Sequence, residues 1–435
     1  MNTNDLLARW STLSLEQIEE QLQSGEDVPE VEQMLGLEQA VQVRELALEP
    51  EARGMRQAVV LLPGVMGSLL ASVRGVTSML WLNPLIFVNG QCQYLQLNQD
   101  GSADASVEID CTAFSLEKLS YLKIGLALRK KTDLFEFPYD WRRPIEYNAD
   151  VLHQSIERWS DGNPGQQFTL VGHSMGGLVS RAYLARHPDS AERRVRRLIM
   201  HGTPHFGAAA AVENLFNGNQ MMSVIDRLND RNDMRRVVLS MPSLYELLPA
   251  PPDLFPSGRA YPANWDLYDA SAWQLDGLRQ DYLEAARRFY RLLADSDPQV
   301  PQVEIAGCHV NTMVGVERVH DNLEKPHLNL AYQDEGPDSG DGTVPLWSAL
   351  LPKAEIYYFQ GVHRSLPDKR EVIDATLDLI EGGRCDLPAE LPRPKTGLFR
   401  RELEAPPEVE AQQLRQKIET GSAGREDLEK LYFAF

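Results

Sequence analysis

The residues best suited to chemistry are Gly172-His173-Ser174-Met175-Gly176, preceded by the apolar Thr169-Leu170-Val171 and followed by Gly177-Leu178-Val179. A serine between glycines, where an apolar run gives way to a helical one, is the pattern of a nucleophile held on a sharp strand-to-helix turn. The glycines let the backbone turn tightly, and the helix start brings N–H groups and a positive dipole end beside the hydroxyl. The plainer reading is a tight turn with an incidental serine. The apolar run before it and the helical run after it favour the nucleophile.

A serine hydroxyl needs a base, and the base needs an acid to orient it. In α/β-hydrolases the chain order is serine, acid, histidine. Ser339-Gly340-Asp341-Gly342-Thr343-Val344-Pro345 offers an acid in a glycine-rich loop whose backbone can bend to aim a carboxylate inward. Asp341 is therefore the expected acid, with Asp334 and Asp338 of the same loop as fallbacks. His363, in Phe359-Gln360-Gly361-Val362-His363, is the sole one of nine histidines beyond Asp341 and is the expected base. The oxyanion of an acyl transfer needs two N–H donors. Met175, just after the nucleophile, supplies one. Val65, in Leu62-Pro63-Gly64-Val65-Met66-Gly67-Ser68, is the expected second, with Met66 as the other choice. Leu80, Trp81, Met66 and the segment 208–245 are expected to form an apolar acyl pocket, their plainer reading being ordinary core. This chemistry requires no metal and no organic cofactor.

Two further motifs follow strand-like runs. In Phe137-Pro138-Tyr139-Asp140-Trp141-Arg142, Asp140 and Arg142 are expected to pair and fix a loop. In His201-Gly202-Thr203-Pro204-His205-Phe206-Gly207, the histidines precede the acid and are read as structural.

The elements that must position these groups are legible as well. Ala58–Leu62 is a short, continuous apolar run, as in a strand buried on both faces of a parallel sheet. Similar runs recur at Leu134–Phe137, Phe168–Gly172, Leu198–His201, Val303–Gly307 and Ala354–Phe359. Helical stretches at Asn148–Arg158, Gly176–His187 and Val372–Glu381 alternate with them, which predicts βαβ units and a mostly parallel sheet covered on both faces. Residues 73–130 and 208–300 interrupt the alternation and are expected to be cap or lid insertions in a hydrolase domain spanning 56–385. A helix is predicted inside the second, over Asp276–Ala294. Residues 11–23 read as an amphipathic helix with a Ser14/Gln17 capping box, and 30–48 as a second helix. The tail, 386–435, is proline-rich at its start. It then carries a charged helical stretch at Pro407–Glu419 and the aromatic end Leu431–Phe435.

The 435 residues carry a net charge of −20, which excludes a nucleic-acid partner, since phosphates need a basic surface. The charge is concentrated: residues 1–55 hold twelve acids and three bases. That leader reads as an appended, solvated helical face whose removal should leave activity on soluble esters intact in a folded protein. A protein partner for the leader or for the tail is left open. Four cysteines fit neither a disulfide scaffold nor a zinc pattern. Neither a signal peptide nor a membrane-spanning run is seen, so a cytoplasmic protein, peripheral at membranes, is expected.

The motifs also carry a family likeness. Pro63–Ser68, Phe137–Arg142, Gly172–Gly177, His201–Gly207, Gly340–Pro345 and Gly361–His363 occur in the order of the lecithin:cholesterol acyltransferase and phospholipid:diacylglycerol acyltransferase family, which includes lysosomal phospholipase A2. The chain resembles that family over roughly 56–380. The resemblance implies an α/β-hydrolase fold with cap and lid. It also implies cleavage of a lipid ester, with the acyl group passing from serine to water or to an alcohol. Position by position it assigns Ser174, Asp341 and His363 as nucleophile, acid and base, and Val65 and Met175 as oxyanion donors, in agreement with the residues alone. Cys92 and Cys111 lie in a different setting from the family's lid disulfide, and no bond is expected. The expected partners are a lipid or other acyl-ester substrate and, transiently, a membrane surface. The rival readings are an esterase for non-lipid acyl esters or polyesters, and a catalytically inactive hydrolase fold kept for binding.

Overall fold

The computed structural model of the chain describes residues 3–52, 56–74, 78–319, 327–394, 407–424 and 426–427. Its centre is a six-stranded, all-parallel sheet of β1 (Ala58–Leu62), β5 (Asp133–Glu136), β6 (Phe168–His173), β7 (Val195–His201), β8 (Gln302–Cys308) and β11 (Glu355–Gln360), ordered β11-β8-β7-β6-β1-β5. Each apolar run that the sequence marks out matches one of these strands, though Phe137 lies just past β5 and Ala354 just before β11. The run Ala58–Leu62 is buried at all five positions because β5 and β6 flank it and helices cover both faces. β2 (Ser68–Ser72), β3 (Ser78–Trp81) and β4 (Cys111–Leu116) form a small antiparallel sheet, and β9 (Thr312–Val319) pairs with β10 (His327–Gln333). The order is that of an α/β-hydrolase fold. In such a sheet, ligands bind beyond the carboxyl ends of the strands. The loops after β1, β6, β7 and β11 hold Val65, Ser174, Gly202 and His363, and Asp341 follows the β9–β10 pair that comes after β8.

The helices Ile145–Trp159, Met175–Arg186 and Arg370–Glu381 extend one to three residues beyond most of their predicted ends. The second long segment contains the helices Ala209–Phe216, Gln220–Leu228 and Met234–Leu239, together with Gln280–Asp295, which packs against Met175–Arg186. Within the segment, the Tyr290 hydroxyl of that helix donates to the carbonyls of Glu246 and Leu248 at 2.9 and 2.8 Å. The first long segment ends in a body helix, Lys118–Lys131, buried on nearly every side and packed on β5 and on the turn His363–Asp368.

The leader departs furthest from its sequence reading. It forms four helices, Thr3–Thr12, Leu15–Ser24, Val28–Leu35 and Leu37–Leu48. Both halves of the Ser14/Gln17 capping box are made, and Gly36, at φ 82°, divides what reads as one helix over 30–48. Leu6, Trp10, Ile18, Met34 and Val43 join the same hydrophobic core as the sheet. Part of the acidic face is not solvated. Glu19 pairs with Lys130 and, at 2.9 Å, with Arg129, while Glu16 and Glu51 also reach Arg129. The leader is thus a helical layer fastened to Lys118–Lys131, docked as short helices that bury little alone must be. The compositional signal is real, but Glu16, Glu19, Glu49 and Glu51 have basic partners in the body.

The tail contributes the helix Pro407–Thr420, which packs on Gln220–Leu228. Its Ala411, Leu414 and Ile418 are buried, and Arg415 Nη1 donates to the Leu228 carbonyl at 3.1 Å. The aromatic end Leu431–Phe435 and Arg53 lie outside the described residues. All four cysteines are free thiols, so Cys92 and Cys111 form no bond. Burial pushes the Cys92 thiol up to about 11. Among the described residues no helix is long and apolar enough to cross a membrane.

Candidate functional site

Ser174 stands at the turn between β6 and the helix Met175–Arg186 with φ 54° and ψ −123°, a conformation that a non-glycine residue holds only when its surroundings enforce it. Two contacts enforce it here. The Ser174 N–H donates to the His201 carbonyl of β7 at 2.9 Å. Gly176 lies so close to the preceding strap that a Cβ there would fall 2.5 Å from the Pro63 carbonyl oxygen. The hydroxyl therefore projects above the carboxyl edge of the sheet.

His363 and Asp341 converge on it from two other loops. His363 Nε2 is 2.9 Å from Ser174 Oγ, and His363 Nδ1 is 2.7 Å from Asp341 Oδ2. A carboxylate at Nδ1 can only accept, so Nδ1 carries the proton and the Nε2 lone pair faces the serine hydroxyl. The carboxylate is itself held: Asp341 Oδ1 accepts from the N–H groups of Thr343 and Val344 at 3.0 and 2.7 Å. The His363 N–H donates to the Asp341 carbonyl at 2.7 Å. Gly202, at φ 58°, leaves room for the pair, since a Cβ there would fall 2.9 Å from Asp341 Oδ2. All three side chains are buried. The fallback acids do not reach the histidine: Asp338 pairs with Arg259 at the surface, and Asp334 is exposed.

The strap Pro63–Gly67 passes directly beside the serine. Its Met66 has φ 63°. Among the described residues, no protein acceptor takes the N–H of Val65, Met66 or Met175. These are the three donors the sequence nominates. The strap is braced from behind. Tyr139 Oη donates to the Pro63 carbonyl at 2.7 Å, and Trp141 Nε1 to the Ser68 carbonyl at 3.1 Å. Arg142 holds Asp140 through two bonds of 2.9 and 2.8 Å and also pairs with Asp104, so Phe137–Arg142 is a buttress.

A cleft of about 860 Å³, part of it open to solvent, opens at Ser174 and His363. Val65 and Met66 line it on one side, and Ala208, Ala211, Leu215, Val238, Leu244 and Leu247 give it apolar walls. Of these apolar wall residues, all but Leu247 come from the segment 208–245. Leu80 and Trp81 are not among the residues that line it. Both are buried behind the strap, where Trp81 Nε1 donates to the Met66 carbonyl at 2.8 Å and its ring meets Trp141 edge to face at 5.2 Å. Their apolar character predicts burial without saying on which side of the strap.

Glu117, Ser120 and Tyr121 at the start of Lys118–Lys131, and Arg364 after the histidine, also line the cleft and escape the sequence reading. Glu117 caps that helix through the N–H groups of Leu119 and Ser120, and burial pushes its carboxyl up to about 7. No local motif marks these residues, because the helix falls at the end of a segment that reads as an insertion. The His201 imidazole bonds Thr376 Oγ1 at 3.0 Å and that of His205 bonds Glu304 at 3.1 Å, so neither imidazole is bonded to the Ser174 hydroxyl. Burial pushes the His201 imidazole down to about 4. No group of three or more His, Cys, Asp or Glu side chains among the described residues could hold a metal ion.

The lecithin:cholesterol acyltransferase family model matches residues 120–368. Among curated proteins the chain is similar to phospholipase A(1) LCAT3 of Arabidopsis thaliana, 26% identical over 133 residues, covering 29% of this chain and 30% of that protein. It is similar at the same identity and length to lecithin-cholesterol acyltransferase-like 4 of Arabidopsis thaliana, covering 29% of this chain and 25% of that protein. The match therefore spans less than a third of either relative. Similar solved structures include a Tle4–Tli4 complex (TM-score 0.49, 13% identity, 76% of this chain and 99% of that one). Another is the mature Bacillus licheniformis lipase BlEst2 (TM-score 0.36, 14% identity, 76% of this chain and 93% of that one). With the family model covering more than half of its residues, the chain belongs to the lecithin:cholesterol acyltransferase family.

Proposed function

We propose that this protein is a serine-dependent lipid esterase or O-acyltransferase of the phospholipase type, acting through Ser174, His363 and Asp341 and a covalent acyl-enzyme. One observation carries the reading: the unbroken hydrogen-bonded chain from Asp341 through His363 to Ser174 at the mouth of an apolar cleft. Membership of the family and the similarity to a plant phospholipase A(1) support a lipid ester as substrate.

Ser174 Oγ attacks the acyl carbonyl while His363 Nε2 takes the hydroxyl proton. Asp341 holds the tautomer and stabilises the imidazolium. The negative charge developing on the carbonyl oxygen falls to the N–H groups of Val65 and Met175. The tetrahedral intermediate collapses, the C–O bond to the alcohol breaks, and that oxygen takes the proton from His363. Water or a second alcohol then attacks the acyl-serine, giving its proton to Nε2, and the proton returns to Ser174 as the acyl product leaves. The acyl chain lies along the wall from Ala208 to Leu247.

The test is product analysis on phosphatidylcholine vesicles with and without added long-chain alcohol. Wild type is expected to release fatty acid and lysophospholipid, and ester formed when the alcohol is present marks it as an acyltransferase. Ser174→Ala is expected to form none of these. Cleavage of short soluble esters alone, with phospholipid untouched, would overturn the lipid assignment in favour of a general esterase.

A further inference from the structure

A buried hydrogen-bonded relay joins the two halves of the site, and the chemistry above does not use it. Tyr121 Oη lies 2.7 Å from the N–H of Gly64 in the strap and 2.7 Å from His173 Nδ1. His173 Nε2 lies 3.1 Å from the carbonyl oxygen of His363. The donors follow from chemistry alone. A carbonyl only accepts, so His173 carries its proton on Nε2 and presents a lone pair at Nδ1. The Tyr121 hydroxyl must then donate to Nδ1, and its oxygen accepts from Gly64. The direction is fixed from end to end: Gly64 N–H to Tyr121 O–H to His173, and His173 N–H to the His363 carbonyl. The relay needs a neutral imidazole, and burial holds the His173 ring well below its ordinary range.

Both ends are places where a small displacement matters. Gly64 is the residue before the nominated donor Val65 and packs on Ser174, where a Cβ on the glycine would lie 3.0 Å from Ser174 Cβ. The His363 backbone is gripped on both sides, its N–H by Asp341 and its carbonyl by His173. The Tyr121 ring also lies against Gly67 at the far end of the strap, 2.8 Å from where a Cβ would stand. One side chain thus contacts both ends of the oxyanion strap and, through one imidazole, the loop of the base.

We infer that Tyr121 and His173 are positioning residues that hold the oxyanion strap and the base loop in register across the nucleophile. They act through Gly64 and His363, whose ring the His173 ring also meets at 4.9 Å between centroids. The inference rests on the proposed reading of Ser174 and His363 as nucleophile and base. A misplacement of about 1 Å at such a site costs on the order of 10²-fold. Because the relay serves the transition state rather than ground-state binding, the loss should fall on kcat.

The experiment measures kcat and KM on a soluble p-nitrophenyl ester for wild type, Tyr121→Phe, His173→Leu, His173→Gln and the double variant Tyr121→Phe/His173→Leu. All are assayed at a temperature where circular dichroism shows them folded. Tyr121→Phe and His173→Leu are each expected to lose about 10- to 100-fold in kcat with KM within about threefold of wild type. The double variant should lose about as much as the worse single one, because one chain of bonds is broken only once. His173→Gln, which keeps a donor for the His363 carbonyl, should retain more activity than His173→Leu. Wild-type kcat in a folded Tyr121→Phe or His173→Leu protein, or losses that simply multiply, would overturn the relay. Ser174→Ala in the same assay separates the two claims. If it is dead while Tyr121→Phe is fully active, the relay fails alone; if it is active, the reading beneath the relay fails.

Discussion

Asp341→Asn is expected to lower kcat/KM by about 10⁴-fold while leaving the protein folded. The size follows from how the carboxylate is held. Asp341 Oδ1 accepts two backbone N–H groups, from Thr343 and Val344, and an asparagine will keep its carbonyl oxygen there. Its NH2 group must then face His363 Nδ1. A donor at that position forces the imidazole proton onto Nε2, where the lone pair for the Ser174 proton should be. The geometry survives and the tautomer is wrong. Steady-state kinetics with a circular-dichroism melt checks both halves. A folded variant keeping a tenth or more of wild-type activity would mean that another group orients His363.

Removing residues 1–50 is expected to abolish the folded, active enzyme. Leu6, Trp10, Ile18, Leu22 and Met34 are each no more than 2% exposed and belong to the central core. At ~1.5–3 kcal/mol for each buried large side chain, their combined contribution matches the whole stability of an ordinary domain, ~5–15 kcal/mol. The polar seam points the same way. Lys130 is buried against Glu19 and the Ala47 carbonyl, and Lys123 bonds Gln39, Gln42 and, at 3.1 Å, Asp368. The helix so gripped carries Glu117, Ser120 and Tyr121 near its start, so its loosening reaches the cleft. Expression with size-exclusion chromatography and an esterase assay reads the outcome: aggregated or inactive protein is expected. A monodisperse deletion with wild-type activity would restore the leader to a separable extension.

That contrast shows what a sequence can and cannot display. Ala58–Leu62 is recognisable because a doubly covered strand is apolar at every position, and Pro63-Gly64 ends it. The serine turn and the Gly340–Pro345 loop are recognisable because local backbone geometry demands their glycines. Lys118–Lys131 is not, because its lysines look solvated until the leader and the turn after His363 supply partners for Lys123 and Lys130. Tyr121 lies 57 residues from Gly64 and 52 from His173, and nothing beside it in the chain marks its place. Trp81 reads only as an apolar residue, of the pocket or of the core. Its place behind the strap depends on Met66 and Trp141, which reach it only through the fold.

Covalent labelling with a fluorophosphonate, followed by peptide mass spectrometry, tests the nucleophile most directly. Wild type is expected to gain one phosphonyl adduct, on the peptide carrying Ser174, and to lose ester hydrolysis in step with it. Ser174→Ala should gain none. Labelling that persists in Ser174→Ala, or an adduct that maps to another residue while hydrolysis is lost, would contradict Ser174 as the nucleophile.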